Sequence, residues 1–236
     1  MLEIKHLSKT YKGGKKAVKD LSLTIEDGDI YGFIGHNGAG KTTTIKCVVG
    51  ILDFEEGEIL VNGHSIKKEP LECKKELAYI PDNPDLFDQL TGIQYLNFIS
   101  DVFEISPNDR TSRITKYAQE LSLTTVLGDL ISSYSHGMKQ KLAIVSALIH
   151  TPKLLILDEP FVGLDPEVSI KVKEIMREFV KEGNCIFFST HVLDTAEKLC
   201  NKIAIINDGV LLASGTMEEL TKGESLESRF MEVIHE

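Results

Sequence analysis

The sequence predicts an α/β protein built around a parallel β-sheet, and three observations support that prediction. Residues 154–157 read Leu-Leu-Ile-Leu, an uninterrupted apolar run that is typical of a parallel strand buried on both faces. Strand-like and helix-like segments alternate after this run. Earlier in the chain, a strand-like segment at residues 30–34 leads through a glycine-rich loop into a helix-like segment at residues 43–49. We therefore expect one parallel sheet to organise the chain.

Size and composition are those of an ordinary folded protein. The chain has 236 residues, and we expect one domain over residues 1–220 followed by a short charged tail at residues 221–236. Hydrophobic residues make up 42% of the chain and charged residues 26%, which leaves little room for extended disorder. The net charge is −10 and no basic stripe is present, so we expect no nucleic-acid partner.

The expected cellular location is the cytoplasm. No apolar run approaches the roughly 20 residues that span a bilayer, and the N-terminus lacks a signal-peptide core. The four cysteines are dispersed, without the paired spacing of a metal or redox site (Cys47, Cys73, Cys185 and Cys200). We expect them to be reduced.

The first quarter of the chain predicts short antiparallel strands. Residues 2–5 and 21–25 alternate between apolar and polar side chains, and the polar run at residues 12–16 is typical of a turn. Residues 57–61 predict another strand, ended by an Asn-Gly turn at residues 62–63. These segments predict an N-terminal antiparallel β subdomain.

A helical block is inserted at about residues 88–150. The strand expected at residues 77–80 ends at Pro81, and apolar side chains then recur at helical spacing over residues 93–103. The pair Ser106-Pro107 is a favourable start for a further helix. We expect this block to separate the first part of the parallel sheet from the rest.

The last third returns to alternating strands and helices. Asp165-Pro166 is expected to cap a helix, and residues 186–189 and 201–207 predict two further strands. Asp208-Gly209 predicts a hairpin turn into residues 210–213.

Residues 35–42 read Gly-His-Asn-Gly-Ala-Gly-Lys-Thr, a pattern that binds nucleotide phosphates. Its glycines let backbone N–H groups turn toward phosphate oxygens at close range. Lys41 adds a positive charge, Thr42 supplies a hydroxyl for Mg²⁺, and the following helix directs its positive dipole end at the anion. A glycine-rich turn that matches by accident is the alternative, but the flanking strand and helix favour phosphate binding. The expected nucleotide-binding residues here are Gly35, His36, Asn37, Gly38, Ala39, Gly40, Lys41, Thr42 and Thr43.

An acidic pair follows the apolar strand at residues 154–157. A carboxylate at the carboxyl end of a buried strand can reach a metal ion held by the phosphate loop, so we assign Asp158 to Mg²⁺. Glu159 is then placed to orient or deprotonate the attacking water. The alternative is an ordinary acidic pair at a strand end.

These motifs, in this order, resemble the ATP-binding subunits of ABC transporters over nearly the whole chain. That family places an aromatic residue before the phosphate loop to stack on adenine, and Tyr11 stands there, although a tyrosine ending an edge strand is also unremarkable. The family signature, usually Leu-Ser-Gly-Gly-Gln, corresponds to Tyr-Ser-His-Gly-Met at residues 134–138. The resemblance implies that Ser135 and Gly137 contact the γ-phosphate bound to a second subunit.

Other positions follow or depart from the family pattern. The resemblance implies that Asp165 lies in a loop crossing the dimer interface and that His191 contacts the γ-phosphate and helps hold the water. Asp82 stands where the family commonly has a glutamine near Mg²⁺, so its metal contact is direct, through water, or absent. His136 either adds a titratable charge beside phosphate or points to solvent. The signature variant together with Asp82 looks most like exporter-type subunits.

The resemblance implies a fold, a reaction and partners. The fold is that of P-loop NTPases, with a RecA-like parallel-sheet core, the N-terminal β subdomain and the inserted helical block. The ligands are ATP and Mg²⁺, and ATP hydrolysis opens a head-to-tail dimer, either a homodimer or a heterodimer. A transmembrane permease holds the subunit at the inner face of the cell membrane. The alternatives are a soluble ABC ATPase and a regulatory module that hydrolyses ATP poorly.

Overall fold

The computed structural model describes residues 1–235, which form two β-sheets and a group of helices. The strands are β1 (Leu2–Thr10), β2 (Lys16–Ile25), β3 (Ile30–Ile34), β4 (Glu56–Val61), β5 (His64–Ser65), β6 (Leu77–Ile80), β7 (Leu154–Asp158), β8 (Cys185–Thr190), β9 (Lys202–Asn207) and β10 (Val210–Thr216). The helices are α1 (Lys41–Val48), α2 (Pro70–Glu76), α3 (Gly92–Val102), α4 (Pro107–Glu120), α5 (His136–Leu148), α6 (Pro166–Lys181), α7 (Leu193–Leu199), α8 (Met217–Thr221) and α9 (Leu226–His235), with a 3₁₀ turn at Ile131–Ser133.

The larger sheet has six strands in the order β10-β9-β3-β8-β7-β6. All neighbouring pairs are parallel except β10 with β9, which form the hairpin predicted at Asp208-Gly209. Every residue of β3, β7 and β8 is buried, as expected for apolar strands covered on both faces. The predicted α/β fold with a parallel-sheet core is confirmed.

The smaller sheet is antiparallel, with its strands in the order β2-β1-β4-β5. Its inward side chains, among them Leu2, Ile4 and Ile59, pack with α1 and one face of the larger sheet into a common apolar core. Asn62 and Gly63 both have positive φ angles, which is the backbone required by the predicted Asn-Gly turn. This sheet is the predicted N-terminal β subdomain.

The order of the parallel strands brings three loops together. β3, β8 and β7 are neighbours, and their carboxyl ends lie at the same edge because Ile34 pairs with Thr190 and Asp158 pairs with Ser189. The residues that follow these strands therefore lie side by side: Gly35, His191 and Glu159.

The helical block comprises α3, α4, the 3₁₀ turn and α5. Thr91 caps α3 in a reciprocal pair with Gln94, and Ser106 caps α4 by accepting from the Asp109 N–H at 3.2 Å. Leu96 and Ile114 are buried in the apolar core beneath the block.

The C-terminal stretch is more ordered than the expected charged tail. Residues of α9 pack against α7, Leu226 is fully buried, and its N–H donates to the Glu197 carboxylate at 3.3 Å. The domain boundary expected at residue 220 would therefore cut α9 off from the apolar core on which Leu226 packs. No helix within the described part of the chain combines the length and apolar character needed to cross a membrane.

Candidate nucleotide site

The phosphate loop joins β3 to α1 in the predicted strand, loop and helix order. Gly40 has φ 113° and ψ 0° at the start of α1, and an added Cβ would lie 2.5 Å from the carbonyl oxygen of Ala17. The loop is thus pressed against β2 at a position that only glycine fits without strain. Its close packing fixes the direction in which the first N–H groups of α1 point.

Lys41 lies at the centre of the site. Its ammonium group donates to the carbonyl oxygens of Gly35 at 2.6 Å and His36 at 3.2 Å, and lies 3.6 Å from the Glu159 carboxylate. Burial lowers the pKa of Lys41, and the nearby carboxylates of Glu159 and Asp158 oppose that shift. The Lys41 ammonium is largely shielded from water, and its positive charge attracts an anion more strongly there than it would in water.

Glu159 and His191 form a hydrogen-bonded pair. The Nδ1 atom of His191 lies 2.9 Å from Glu159 Oε1. The Glu159 side chain is mostly buried, whereas the His191 side chain is 46% exposed. Glu159 is therefore held between the ammonium of Lys41 and an imidazole, a geometry that suits a carboxylate accepting a proton from water.

Asp158 is buried beside this pair. Its Oδ1 accepts a hydrogen bond from the hydroxyl of Ser189, the residue that faces it across the β7–β8 register. Its Oδ2 is buried and has no hydrogen-bond partner among residues 1–235. A buried carboxylate oxygen without a partner is costly, and a cation is the ligand that would satisfy it.

Lys41 and Glu159 line a cleft of about 230 Å³ at the carboxyl edge of the sheet, whereas the predicted site residues Asp158 and His191 are not part of its wall. Tyr11 forms part of its wall, and the Tyr11 hydroxyl lies 3.1 Å from the Thr43 hydroxyl. The other predicted residues in the wall are Asn37, Gly38, Gly40, Lys41, Thr42, Thr43, Asp82 and Glu159. Sequence reasoning missed Lys15 and Ala17, which also line the cleft. The polar run at residues 12–16 was the available signal for Lys15.

Three predicted residues of the phosphate loop lie outside the cleft wall. Gly35 and Ala39 are buried, Ala39 fully, and neither is part of the cleft wall. The His36 ring turns away, with Nε2 2.6 Å from Asn207 Oδ1 and Nδ1 2.7 Å from the Asn37 carbonyl oxygen. In this conformation the His36 side chain anchors the loop to the end of β9, and any contact with nucleotide comes from its backbone.

Ser135, Gly137 and Asp165 are also absent from the cleft wall of this chain. Ser135 caps α5 by accepting from the Met138 N–H at 3.3 Å, and Asp165 caps α6 by accepting from the Val168 N–H at 2.9 Å. The predicted helix starts are therefore present, but a single chain does not bring these residues to its own Lys41.

Asp82 stands in the cleft wall with an exposed side chain whose Oδ1 accepts from the Asn83 N–H at 2.9 Å. The predicted contact of Asp82 with a metal ion stays a prediction.

Comparison with known proteins gives one consistent result. A sequence model described as ABC transporter matches residues 18–162. The ABC-type transporter ATP-binding protein EcsA of Bacillus subtilis is 34% identical over 241 residues, covering 100% of this chain and 97% of the relative. A solved structure described as the ATP binding subunit of an ABC transporter superposes with a TM-score of 0.95 at 34% identity, over 99% of both chains. The cbiO1 protein of Clostridium perfringens, described as part of the ABC transporter complex cbiONQ, superposes with a TM-score of 0.80 at 25% identity, over 94% of this chain and 90% of that one.

Proposed function

The chain belongs to the ABC transporter family of ATP-binding ATPases, and we propose that it powers substrate transport, in the export direction, by a separate membrane permease. The observation that carries the proposal is that Lys41 and Glu159 converge on one cleft, which Tyr11 closes at the side, while His191 contacts Glu159 and the buried Asp158 precedes it in the chain. This arrangement combines an anion site, a metal ligand and a base.

We propose one orientation for the nucleotide in the cleft. Adenine stacks on Tyr11, and the triphosphate runs along residues 37–43 toward Lys41. The N–H groups at the start of α1 and the Lys41 ammonium neutralise the β- and γ-phosphates. Lys15, in the wall beside Tyr11 and Gly38, adds a second positive charge at the entrance.

The residues present suit Mg²⁺. Mg²⁺ is usually bound through one or two carboxylates together with substrate phosphates. The unpartnered Oδ2 of Asp158 and the hydroxyl of Thr42 would be the protein ligands, and Asp82 would act through a water molecule. The described residues contain no cluster of three or more His, Cys, Asp or Glu side chains suited to a metal. When bound, Mg²⁺ supplies charge stabilisation to the phosphates.

Glu159 acts as the general base. It accepts a proton from the attacking water as the water oxygen bonds to the γ-phosphorus and the bond from that phosphorus to the bridging oxygen breaks, which releases ADP and phosphate. His191 fixes the Glu159 carboxylate through the 2.9 Å contact and presents its exposed edge to the γ-phosphate. The Lys41 ammonium lies 3.6 Å from the same carboxylate, so it stabilises negative charge both on Glu159 and on the phosphates.

A second chain completes the site. Ser135 and Gly137 lie at the N-terminus of α5, away from the cleft of their own chain, so a head-to-tail dimer would place them on the γ-phosphate of the partner. Asp165 lies at the start of α6, in the loop that would cross this interface. Hydrolysis removes the γ-phosphate contacts, and the dimer opens. The partner is a second copy or a related subunit.

An exposed aromatic surface of the helical block is the proposed permease contact. Phe87 and Phe98 are 51% and 44% exposed, and the Phe87 ring packs edge-on against Tyr95 and Phe98 at centroid distances of 6.0 and 5.5 Å. Exposed clusters of this kind mark protein contacts, and Phe87 follows Asp82 by five residues, which links this surface to the cleft. The description of cbiO1 as part of the ABC transporter complex cbiONQ supports assembly with other subunits. We place this chain's assembly at the inner face of the membrane. Loss of permease copurification on Phe98→Ser tests this contact.

Steady-state hydrolysis by the wild-type chain and by Glu159→Gln tests the proposal. Loss of a general base lowers kcat by about 100- to 10,000-fold while ATP binding is retained. With ATP and Mg²⁺, the Glu159→Gln chain should elute as a dimer on sizing. Equal turnover by the two chains would favour a poorly hydrolysing regulatory module instead.

A further inference from the structure

His136 departs from the family signature, and its side chain is exposed to solvent but contacts the chain on one side. Its ring lies over Gly163, in the loop between Glu159 and α6. A Cβ added to Gly163 would lie 2.9 Å from His136 Nε2 and closer still to Cδ2. The side chain is therefore packed on one face against the backbone of that loop.

Gly137 makes the second half of the same contact. A Cβ added to Gly137 would lie 3.1 Å from the carbonyl oxygen of Gly163, so the first turn of α5 fits closely on this residue. Gly163 itself has φ 78°, a conformation that favours glycine. We call the contact of His136 and Gly137 with Gly163 the signature–loop joint.

The loop is a short, hydrogen-bonded path from the joint to Glu159. The Val162 N–H donates to the Glu159 carbonyl oxygen at 3.2 Å, and the Leu164 N–H donates to that of Phe161 at 3.4 Å. Two successive turns therefore separate Glu159 from the cap of α6. These two hydrogen bonds connect Gly163 to Glu159 through the backbone, and we expect a shift of Gly163 to reach Glu159 through them.

The backbone of Glu159 needs such support. Glu159 has φ 49°, which is unfavourable for a residue with a Cβ, and such conformations persist only where neighbouring structure holds them. Its N–H is shared between the hydroxyl of Ser189 at 3.2 Å and the Ser189 carbonyl oxygen at 3.3 Å. These bonds hold one side of the residue, and the loop holds the other.

We infer that His136 is a positioning residue for hydrolysis, which clamps Gly163 against α5 and so fixes the Glu159 carboxylate. The inference rests on the proposed role of Glu159 as general base. It assigns His136 a packing role, in which the ring acts through its contact with Gly163 and not through its charge.

Two replacements of His136 separate packing from charge. His136→Gly removes the ring at the first position of α5, where glycine costs the helix little, and should lower kcat about tenfold while KM for ATP changes less than about twofold. His136→Phe keeps a ring and should retain kcat within about twofold. Equally low kcat in both variants would overturn the packing role, as would wild-type kcat in His136→Gly.

A double-mutant cycle with Gly163→Ala tests the joint itself. The added methyl collides with the His136 ring, whereas its backbone strain is the same whether or not the ring is present. Gly163→Ala should therefore lower kcat at least about fivefold more in the wild-type background than in His136→Gly. Additive effects would overturn the joint. Glu159→Gln serves as the separate control. If the Glu159→Gln chain hydrolyses ATP normally, the proposed function fails. If that chain is inactive and the cycle is additive, only the role of His136 fails.

Discussion

Replacing Gly40 with alanine should destabilise the chain more than the same change at Gly38. Both glycines belong to the phosphate loop and have positive φ angles, 113° and 86°. At Gly40 an added Cβ would lie 2.5 Å from the Ala17 carbonyl oxygen and 3.3 Å from Ile206 Cδ1, whereas at Gly38 it meets nothing within 4 Å in the described chain. Backbone strain costs about 1–2 kcal/mol at Gly38 and at least as much at Gly40, whose φ lies further from the left-handed region open to residues with a Cβ. The collision adds about 1–3 kcal/mol at Gly40 alone.

Urea unfolding without nucleotide measures this difference directly. Gly38→Ala should lower the free energy of unfolding by about 1–2 kcal/mol, and Gly40→Ala by about 2–5 kcal/mol. Gly38 serves as the matched control because it shares the loop and the sign of φ but has no neighbour in the way. Equal losses in the two variants would refute the reasoning that close packing on β2 requires glycine at position 40.

Three further predictions concern single side chains. Tyr11→Ala should raise KM for ATP about tenfold through lost stacking, whereas Tyr11→Phe, which loses only the hydroxyl contact to Thr43, should raise it less than about threefold. Asp158→Asn should reduce the difference in melting temperature between ATP with Mg²⁺ and ATP with EDTA; a difference as large as in the wild-type chain would remove Asp158 as a metal ligand. Burial lowers the pKa of His150 below its ordinary 6.5, so the unfolded chain binds more protons in acid and the free energy of unfolding should fall as pH drops through about 6.5. His150→Phe, which keeps the stacking on Phe103, should flatten that dependence in urea titrations at about pH 7.5 and 5.5, and an unchanged slope would show that another group is responsible.

The parts of the fold that sequence predicted best are those with strong local signals. The apolar run of β7, the Asn-Gly turn and the glycine-rich loop each carry their structure in a few adjacent residues. The seven-residue helices α2 and α7 have no such signal, because short helices owe their stability to packing. The helix α9 was missed for the same reason: its burial of Leu226 depends on α7 and not on its own charged sequence.

The site residues show the same contrast between local sequence signals and contacts between distant residues. Motif order predicted Lys41, Asp158 and Glu159, and strand order explains why they meet at one edge of the sheet. Contacts between distant residues could not be predicted, because nothing in the residues near Asp158 indicates that its partner is the hydroxyl of Ser189. Likewise, the environment of His136 depends on a loop that lies 27 residues further along the chain at Gly163.

Mixing two inactive chains tests most directly whether each ATP site is shared between two copies. Lys41→Ala removes the phosphate-loop charge and Ser135→Arg blocks the signature, so each variant alone should be inactive. In a head-to-tail dimer of one chain of each kind, the intact phosphate loop of the Ser135→Arg chain meets the intact signature of the Lys41→Ala chain. Random mixing makes about half of the dimers mixed, with one of two sites intact, so hydrolysis should recover to roughly a quarter of the wild-type rate. A mixture no more active than its two components would contradict the shared site.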